Sequence, residues 1–198
     1  ETDRGGTCDN TDIQDKEAGI YALFGFLALY DLTQDPHWLE GATGAADYTE
    51  TWTYAWSFPV HTPWPKHPFN QYSISGQSII TIGGGADVYM AACSYTYYRL
   101  YLLTGDAHYL DFAQFIHKNT RQSNDIDGTS GYIMPGLGHE SGNFSSQKLG
   151  SQYHWLPWCT FVEAEPSEKL FETFGVYEIE DAQKLGREEL EKRNRIYD

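Results

Sequence analysis

Apolar residues dominate two long stretches of the chain, and a one-sided pattern follows each of them. Apolar residues lie on nearly all sides of a helix drawn from about Asp12 to Asp31, and again from about Ala86 to Leu103. Because a helix without a polar face is a buried helix, these stretches predict two inner helices. The next stretches, at about 36–52 and 107–120, repeat apolar residues at three-to-four spacing, which predicts amphipathic outer helices.

The junctions between these helices form an internal repeat. Residues 29–42 read LYDLTQDPHWLEGA and residues 100–113 read LYLLTGDAHYLDFA, with eight identities in fourteen positions at an offset of 71. Asp35 and Asp106 occupy positions typical of helix N-caps, and Pro36 occupies the first helical position. The order of inner helix, tight turn, outer helix and long connection predicts an all-α fold, an α/α toroid built of helical hairpins.

The length of the chain limits how much of a toroid it can form. Six hairpins of about 71 residues would need on the order of 430 residues, whereas the chain has 198. We therefore expect a single domain over 1–198 that forms an incomplete (α/α)6 barrel, with 163–198 as a charged C-terminal helical segment. Such a barrel would leave flanks of inner helices exposed. The expected protein partner is a missing N-terminal part of the same protein or a second copy, in a homo-oligomer.

Charge and cysteine content exclude several classes of protein. The formal net charge is −15, which disfavours nucleic acid and anionic membrane surfaces as partners, since both attract basic patches. No apolar run is long enough to span a membrane. The spacing of Cys8, Cys93 and Cys159 is not that of a zinc site, so we expect no metal and no cofactor. For Cys8 and Cys159, a disulfide, an exposed pair of thiols and simple packing are open alternatives, and the latter two are favoured. The sequence does not fix the compartment, although a secreted, periplasmic or cell-surface location is favoured.

The long connections precede the inner helices, so they should emerge together on one face of the scaffold, where function usually lies. At about 53–83 and 121–160 they mix aromatic residues with carboxylates, amides and imidazoles. This composition is typical of a carbohydrate-binding cleft, in which aromatic rings stack on sugar rings and polar groups bind hydroxyls. The alternative is that these aromatic residues only fix the loops to the scaffold. The candidate sugar-binding residues are Asp12, His61, Trp64, Tyr72, His139, Tyr153, Trp155 and Trp158.

Two carboxylates are candidates for catalysis. Asp87 follows Gly83, Gly84 and Gly85 and begins an otherwise apolar stretch, ADVYMAAC, where a buried charge needs a partner or a role. The alternative is that backbone N–H groups of a helix satisfy this carboxylate. Glu140 lies in the glycine-rich stretch GLGHESGN, where side chains can approach a ligand closely, and it is a candidate general acid or base. Glycoside hydrolysis uses two carboxylates about 5–10 Å apart.

The DKEAG stretch at Asp15–Gly19 and the two repeat motifs resemble the six-hairpin glycosidase superfamily, in which LYxLTGDxxYL is a common hairpin turn. The resemblance covers about residues 10–120. It implies an (α/α)6 toroid with a carbohydrate site at the entrances of the inner helices. Members include glycoside hydrolases, unsaturated-glucuronyl hydrolases and lyase relatives. The paired cysteine motif of the zinc-using members is missing here, so their mechanism does not transfer.

The expected function is glycoside hydrolysis of a poly- or oligosaccharide through the paired carboxylates Asp87 and Glu140. One alternative is a polysaccharide lyase, which would use a tyrosine or histidine base and a group that neutralises a uronic acid. The acidity of the chain argues against an anionic substrate. The other alternative is a non-catalytic helical-repeat scaffold or carbohydrate-binding module.

Overall fold

The computed structural model of the chain describes residues 14–56, 75–79, 85–119, 134–137, 141–143 and 157–194, and this part is mostly helical, as predicted. Its seven α-helices are α1 (Lys16–Thr33), α2 (Pro36–Glu50), α3 (Ser94–Thr104), α4 (Ala107–Asn119), α5 (Pro157–Phe174), α6 (Ile179–Ala182) and α7 (Arg187–Arg193). Its three strands are β1 (Ser78–Ile79), β2 (Gly85–Asp87) and β3 (Ser141–Asn143), and two 3₁₀ turns span Tyr89–Cys93 and Gln183–Leu185.

The chain divides into two compact units. The helical unit contains Glu1–Trp52, Cys93–Gln114 and Pro166–Asp198, and the sheet unit contains Thr53–Ala92 and Phe115–Glu165. The single partial-toroid domain over 1–198 stays a prediction.

The first hairpin of the helical unit joins α1 to α2 through a turn fixed by short polar side chains. The Thr33 hydroxyl donates to the Leu29 carbonyl at 2.7 Å and accepts from the Asp35 N–H at 3.3 Å. The Asp35 carboxylate in turn accepts from the His37 N–H at 2.9 Å. Asp35 is thus the N-cap of α2, as predicted, because its carboxylate satisfies an N–H group that the first turn leaves unpaired.

The second hairpin, between α3 and α4, repeats these bonds at the predicted offset. The Thr104 hydroxyl donates to the Leu100 carbonyl at 2.7 Å and accepts from the Asp106 N–H at 3.2 Å. The Asp106 carboxylate accepts from the His108 N–H at 2.9 Å. The sequence repeat therefore corresponds to a repeated local structure.

Both inner helices also end in the same way. Gln34 has φ of 55° and Gly105 has φ of 77°, and both lie in the left-handed region. Their N–H groups donate to the carbonyls of Tyr30 at 2.7 Å and Tyr101 at 2.8 Å. Left-handed residues end helices in this manner because they turn the chain and satisfy a carbonyl of the last turn.

The two inner helices differ from their predictions in different ways. In α1 the buried residues form one side only, and Tyr21 is 68% exposed, so the prediction of an all-round buried helix is wrong there. In α3 every residue from Ser94 to Leu100 is buried, as predicted. The predicted helix start near Ala86 is also wrong, because that segment pairs as strand β2 and a 3₁₀ turn precedes α3.

Tyrosine hydroxyls form hydrogen bonds between elements of the helical unit. The fully buried Tyr97 donates to the Ala46 carbonyl at 2.8 Å, and the Gln183 amide donates to the Tyr98 hydroxyl at 2.6 Å. Burial raises the pKa of the Tyr97 phenol well above its ordinary value, so this group stays protonated. Each buried hydroxyl thus keeps a hydrogen-bond partner, as burial of a polar group requires.

A buried ion pair crosses from α3 to the end of α1. Arg99 Nη1 and Nη2 donate to the two oxygens of the Asp31 carboxylate, at 2.9 and 2.6 Å, and Arg99 Nε donates to Asn194 Oδ1 at 2.9 Å. The side chains of Arg99 and Asp31 are 4% and 8% exposed. Bidentate geometry satisfies a charge pair that would be costly to bury unpaired.

Candidate functional site

The sheet unit contains a row of polar residues that crosses its antiparallel strands. Ser78 of β1 pairs with Asp87 of β2, Asp87 pairs with Ser141 of β3, and Thr53 forms an isolated bridge with Ser78. Residues directly opposite each other on neighbouring strands project from the same face of a sheet. Thr53, Ser78 and Asp87 therefore form a hydroxyl–carboxylate row.

This row is buried. Thr53 is 8% exposed, Ser78 is fully buried and Asp87 is 4% exposed. Polar side chains are seldom this deep without hydrogen-bond partners or a function. The Thr53 hydroxyl oxygen is buried and has no hydrogen-bond partner within the described part of the chain.

The Asp87 carboxylate accepts hydrogen bonds from one residue that precedes it in the chain and from one that follows it. The Ser78 hydroxyl donates a short hydrogen bond to Asp87 Oδ1, and the Tyr89 N–H donates to the same oxygen at 3.3 Å. The first bond connects β1 to β2, and the second fixes the turn that follows β2. These two donors orient the Asp87 carboxylate.

Asp87 begins a helix in the sequence prediction, and the structure corrects this. It is the last residue of β2, and its carboxylate bonds across the sheet and to the next turn. The signal for a strand was present in the sequence. Three glycines separate the β-branched run SIITI from ADV, a pattern typical of two short strands joined by a turn. The apolar residues after Asp87 concealed it.

Tyr54 lies in the electrostatic field of Asp87. Burial, and then the negative charge of Asp87, raise the pKa of the Tyr54 phenol above its ordinary value of 10.0. The Tyr54 backbone is fixed, since its N–H donates to the Gln77 carbonyl at 2.9 Å and its carbonyl accepts from the Gly76 N–H at 2.8 Å. The phenol is therefore a hydrogen-bond donor at neutral pH rather than a base.

The turn that carries Gln77 and Ser78 is fixed against the end of α4. Gly76 has φ of 84°, and a Cβ there would lie 2.8 Å from the Asn119 Cβ, so no larger residue fits. The Asn119 amide also donates to the Ser75 hydroxyl at 2.9 Å. Sequence reasoning missed Thr53 and Ser78 as site residues, because a cross-strand row depends on a register that the sequence does not state.

Most of the predicted site residues lie outside the described residues. These are the catalytic candidate Glu140 and the sugar-binding candidates Asp12, His61, Trp64, Tyr72, His139, Tyr153 and Trp155. Trp158 lies in the first turn of α5, rather than in the preceding connection, and its side chain is also outside the description. Asp87 is thus the one predicted site residue whose environment the structure describes.

The described residues were also compared with the requirements of a metal site and of a membrane span. Among the described residues, no group of three or more histidine, cysteine, aspartate or glutamate side chains could hold a metal ion. None of the helices within the same ranges is long and apolar enough to cross a membrane.

Comparison with known proteins finds no matching family model, no matching curated protein and no matching solved structure.

Proposed function

We propose that this chain is a carbohydrate-active protein of glycoside hydrolase type, in which Asp87 and Glu140 act as paired carboxylates. The observation that carries the proposal is the buried, hydrogen-bonded carboxylate of Asp87 in the row with Thr53 and Ser78. A carboxylate that is oriented by a hydroxyl donor is prepared to act as a nucleophile, a base or a charge stabiliser.

Chain connectivity supports the choice of Glu140 as the second carboxylate. Ser141 pairs with Asp87 across β2 and β3, and Glu140 directly precedes Ser141 in the chain. Because successive residues of a strand project from opposite faces of a sheet, the proposed pairing of the two carboxylates requires the chain to leave the regular strand before Ser141.

The arrangement that we propose for the helices is an incomplete α/α toroid. Its support is the repeated hairpin, in which the bonds around Asp35 recur around Asp106. Repeat proteins stack units of this kind against their neighbours. The location of the sugar-binding aromatic residues in the connections between hairpins belongs to the same proposal.

The polysaccharide lyase is a weaker candidate. A lyase needs a base that accepts a proton next to a carboxylate, and a tyrosine can serve when its phenol ionises readily. Burial and the charge of Asp87 act in the opposite direction at Tyr54, since both raise its pKa. Tyr54 therefore suits donation of a proton or a hydrogen bond.

A specific observation favours the non-catalytic alternative, a scaffold or carbohydrate-binding module. Asp87 Oδ1 already accepts from the Ser78 hydroxyl and the Tyr89 N–H, and both bonds hold the sheet unit together. A carboxylate with these partners could be wholly structural.

The test compares three amide variants on a panel of plant and host glycans. Reducing-end release reports hydrolysis and ultraviolet absorbance reports unsaturated lyase products. Asp87→Asn keeps an oxygen that accepts from Ser78 but removes the charge, so its fold should persist while turnover falls by about a thousandfold. Glu140→Gln should lose activity similarly. Asp111→Asn, at an exposed position of α4, is the matched control and should retain full activity.

Each result decides between the candidates. Full activity of folded Asp87→Asn would remove Asp87 from the mechanism. Unsaturated products would establish the lyase. Glycan binding without turnover by the unmodified chain would establish a binding module, and neither binding nor turnover would leave a scaffold.

A further inference from the structure

One face of α1 is apolar and exposed. The exposed residues of α1 are Tyr21, Gly25, Ala28, Leu29, Leu32 and the terminal Thr33, and the first five of these lie on one side of the helix. Tyr21 is 68% exposed, Leu32 is 66% exposed and Leu29 is 37% exposed. We name these five residues the α1 stripe.

The α1 stripe is unlike an ordinary solvent-facing helix surface. None of its five residues carries a charge, although the chain has 28 acidic and 13 basic residues. Exposed helix faces in soluble proteins are usually charged, and contiguous apolar patches of a few hundred Å² mark sites of interaction.

The internal repeat gives an independent reason to expect a covered face. At an offset of 71, Gly25, Ala28 and Leu29 correspond to residues of α3 that are buried. These are Thr96, at 7% exposure, Arg99, at 3%, and Leu100, at 0%. The same side of the same repeat element is thus buried in the second hairpin and exposed in the first.

The order of side-chain sizes along the α1 stripe is self-complementary. Large residues, Tyr21 and Leu32, stand at its ends, small residues, Gly25 and Ala28, stand between them, and Leu29 lies beside Ala28. If two α1 helices cross antiparallel about a two-fold axis midway between the small residues, Tyr21 faces Leu32 of the other copy and Gly25 faces Ala28. Small residues at the crossing point let the two helices approach closely, and the large residues then interlock on either side.

We propose that the α1 stripe is the contact surface for a second copy of this chain, in an antiparallel pair of α1 helices related by a two-fold axis. The stripe is a few hundred Å² per copy, which is below the area of standard stable interfaces, so the dimer forms at about 10–100 μM rather than at nanomolar concentration. Each copy has a net charge of −15, so repulsion opposes the dimer and added salt strengthens it.

The test is sedimentation velocity of the chain from about 5 to 500 μM, at low and at high salt. The unmodified chain should pass from monomer to dimer over this range, and at lower concentration in high salt. Leu32→Glu and Tyr21→Lys each place a charge in the contact and should weaken self-association at least tenfold, by about 1.4 kcal/mol. Tyr177→Glu, at a position 48% exposed outside the stripe, is the matched control and should dimerise normally.

Mixing the two variants tests the register. In the antiparallel pair, the lysine of Tyr21→Lys faces the glutamate of Leu32→Glu, while Leu32 of the first chain faces Tyr21 of the second. An equimolar mixture should therefore form a heterodimer that neither variant forms alone. In a parallel pair each position faces itself and the two introduced charges form no ion pair, so the heterodimer would be no tighter than the unmodified chain paired with either variant.

The proposal fails if the unmodified chain stays monomeric at every concentration and salt. It also fails if a dimer forms that Leu32→Glu does not weaken relative to Tyr177→Glu, because another surface would then be responsible. Circular dichroism of each variant confirms that loss of association is not loss of fold.

Discussion

The two helical hairpins share a turn but differ in how their helices touch. The bonds made by Thr33 and Asp35 in the first turn recur at Thr104 and Asp106 in the second. In both hairpins an aromatic residue of the inner helix lies against an aromatic residue of the outer helix. In the first hairpin these are Phe26 and Trp38, whose ring centroids are 6.0 Å apart. The corresponding Tyr97–Tyr109 distance is 6.2 Å.

The packing around these aromatic pairs is different. In the first hairpin Phe26 lies over Gly41, where a Cβ would be 3.2 Å from the ring. In the second hairpin the residue at that repeat position is Phe112, and its ring centroid is 4.6 Å from that of Tyr97. In the first hairpin the helices therefore meet across a glycine, and in the second an aromatic ring occupies the same position. The shared residues specify the turn, while the residues that differ specify how the helices fit.

The hairpins also differ in their surroundings. Leu29 is 37% exposed, whereas the identical residue of the second hairpin, Leu100, is fully buried. Because the residue type is the same, its burial depends on neighbours that lie far away in the sequence. A local motif can fix a turn, but it cannot determine whether the helix before it is covered.

The largest expected effect comes from the ion pair of Arg99 and Asp31. Neither residue has a charged counterpart at the equivalent position of the other hairpin. Arg99→Ala leaves the buried carboxylate of Asp31 without its partner, which should lower the free energy of unfolding by about 3–5 kcal/mol. Chemical denaturation measures it. A loss below about 1 kcal/mol would mean that water replaces the guanidinium.

The repeat supplies the control for that variant. The residues of the other hairpin at these positions are Ala28, for Arg99, and Leu102, for Asp31. The double variant Arg99→Ala, Asp31→Leu should recover most of the lost stability, since apolar residues can replace a buried ion pair without great cost. If it remains as unstable as Arg99→Ala alone, the positions are not interchangeable between the hairpins.

The next effect concerns the close approach of α1 and α2. A Cβ at Gly19 would lie 2.2 Å from Thr49 Oγ1 and 2.6 Å from Tyr48 Cδ1, and both atoms belong to packed side chains. Gly19→Ala should therefore cost about 2–3 kcal/mol through overpacking, although alanine is the better helix former. Gly44→Ala is the matched control, because nothing lies within 4 Å of its Cβ position, and it should stabilise the protein by up to about 1 kcal/mol. Thermal unfolding of both variants measures the difference, and similar melting temperatures would contradict the described contact.

A smaller effect is expected where the inner helices end. Gly105 has φ of 77°, so Gly105→Gln should cost about 1 kcal/mol, because a Cβ is disfavoured in the left-handed region. The reciprocal variant, Gln34→Gly, should stabilise the first turn by less than that, since the Gln34 amide now donates to the carbonyls of Tyr30 and Asp31. Urea unfolding of the two single variants should show effects of opposite sign. Equal signs would show that the two turns are not equivalent.

The sequence predicted the hairpins well because their signals are local. The caps Asp35 and Asp106 each bond to a residue two positions away, so a short motif contains the whole interaction. The mostly helical character follows from the same periodicity. The ranges 36–50 and 107–119 of the outer helices agree with their predictions within two residues.

The parts that failed depend on distant pairing. Whether Asp87 is in a strand is decided by Ser78 and by Ser141, and the second of these is 54 positions away. The apolar character of Tyr21 indicated burial, but its exposure depends on whether another helix covers that side of α1. The row of Thr53, Ser78 and Asp87 could not be read from spacing, because a register shift of one residue would send each side chain to the other face.

The smallest effect is a pH dependence that separates the two equivalent histidines. His37 lies against Trp38, at 5.3 Å between ring centroids, whereas His108 also bonds the Glu50 carboxylate at 2.6 Å. That hydrogen bond raises the pKa of His108 above 6.5, so folding favours the protonated ring. Its stabilisation should be fully present below pH 6.5 and should be lost as the pH rises through the raised pKa. Because His108 is 56% exposed, solvent screening limits this contribution to less than about 1 kcal/mol.

The urea midpoint measured from pH 5.5 to 8.5 should therefore fall with rising pH, and His108→Gln should reduce that fall. Burial raises the pKa of Glu50 above 4.5, so the Glu50 carboxylate itself destabilises the fold as the pH rises from 4.5 through that raised pKa. Glu50→Gln removes both contributions, since it abolishes the buried charge and the charged partner of His108. It should flatten the pH dependence at least as much as His108→Gln does. If His108→Gln leaves the slope unchanged, the stability that the bond between His108 and Glu50 provides does not depend on protonation of the His108 ring.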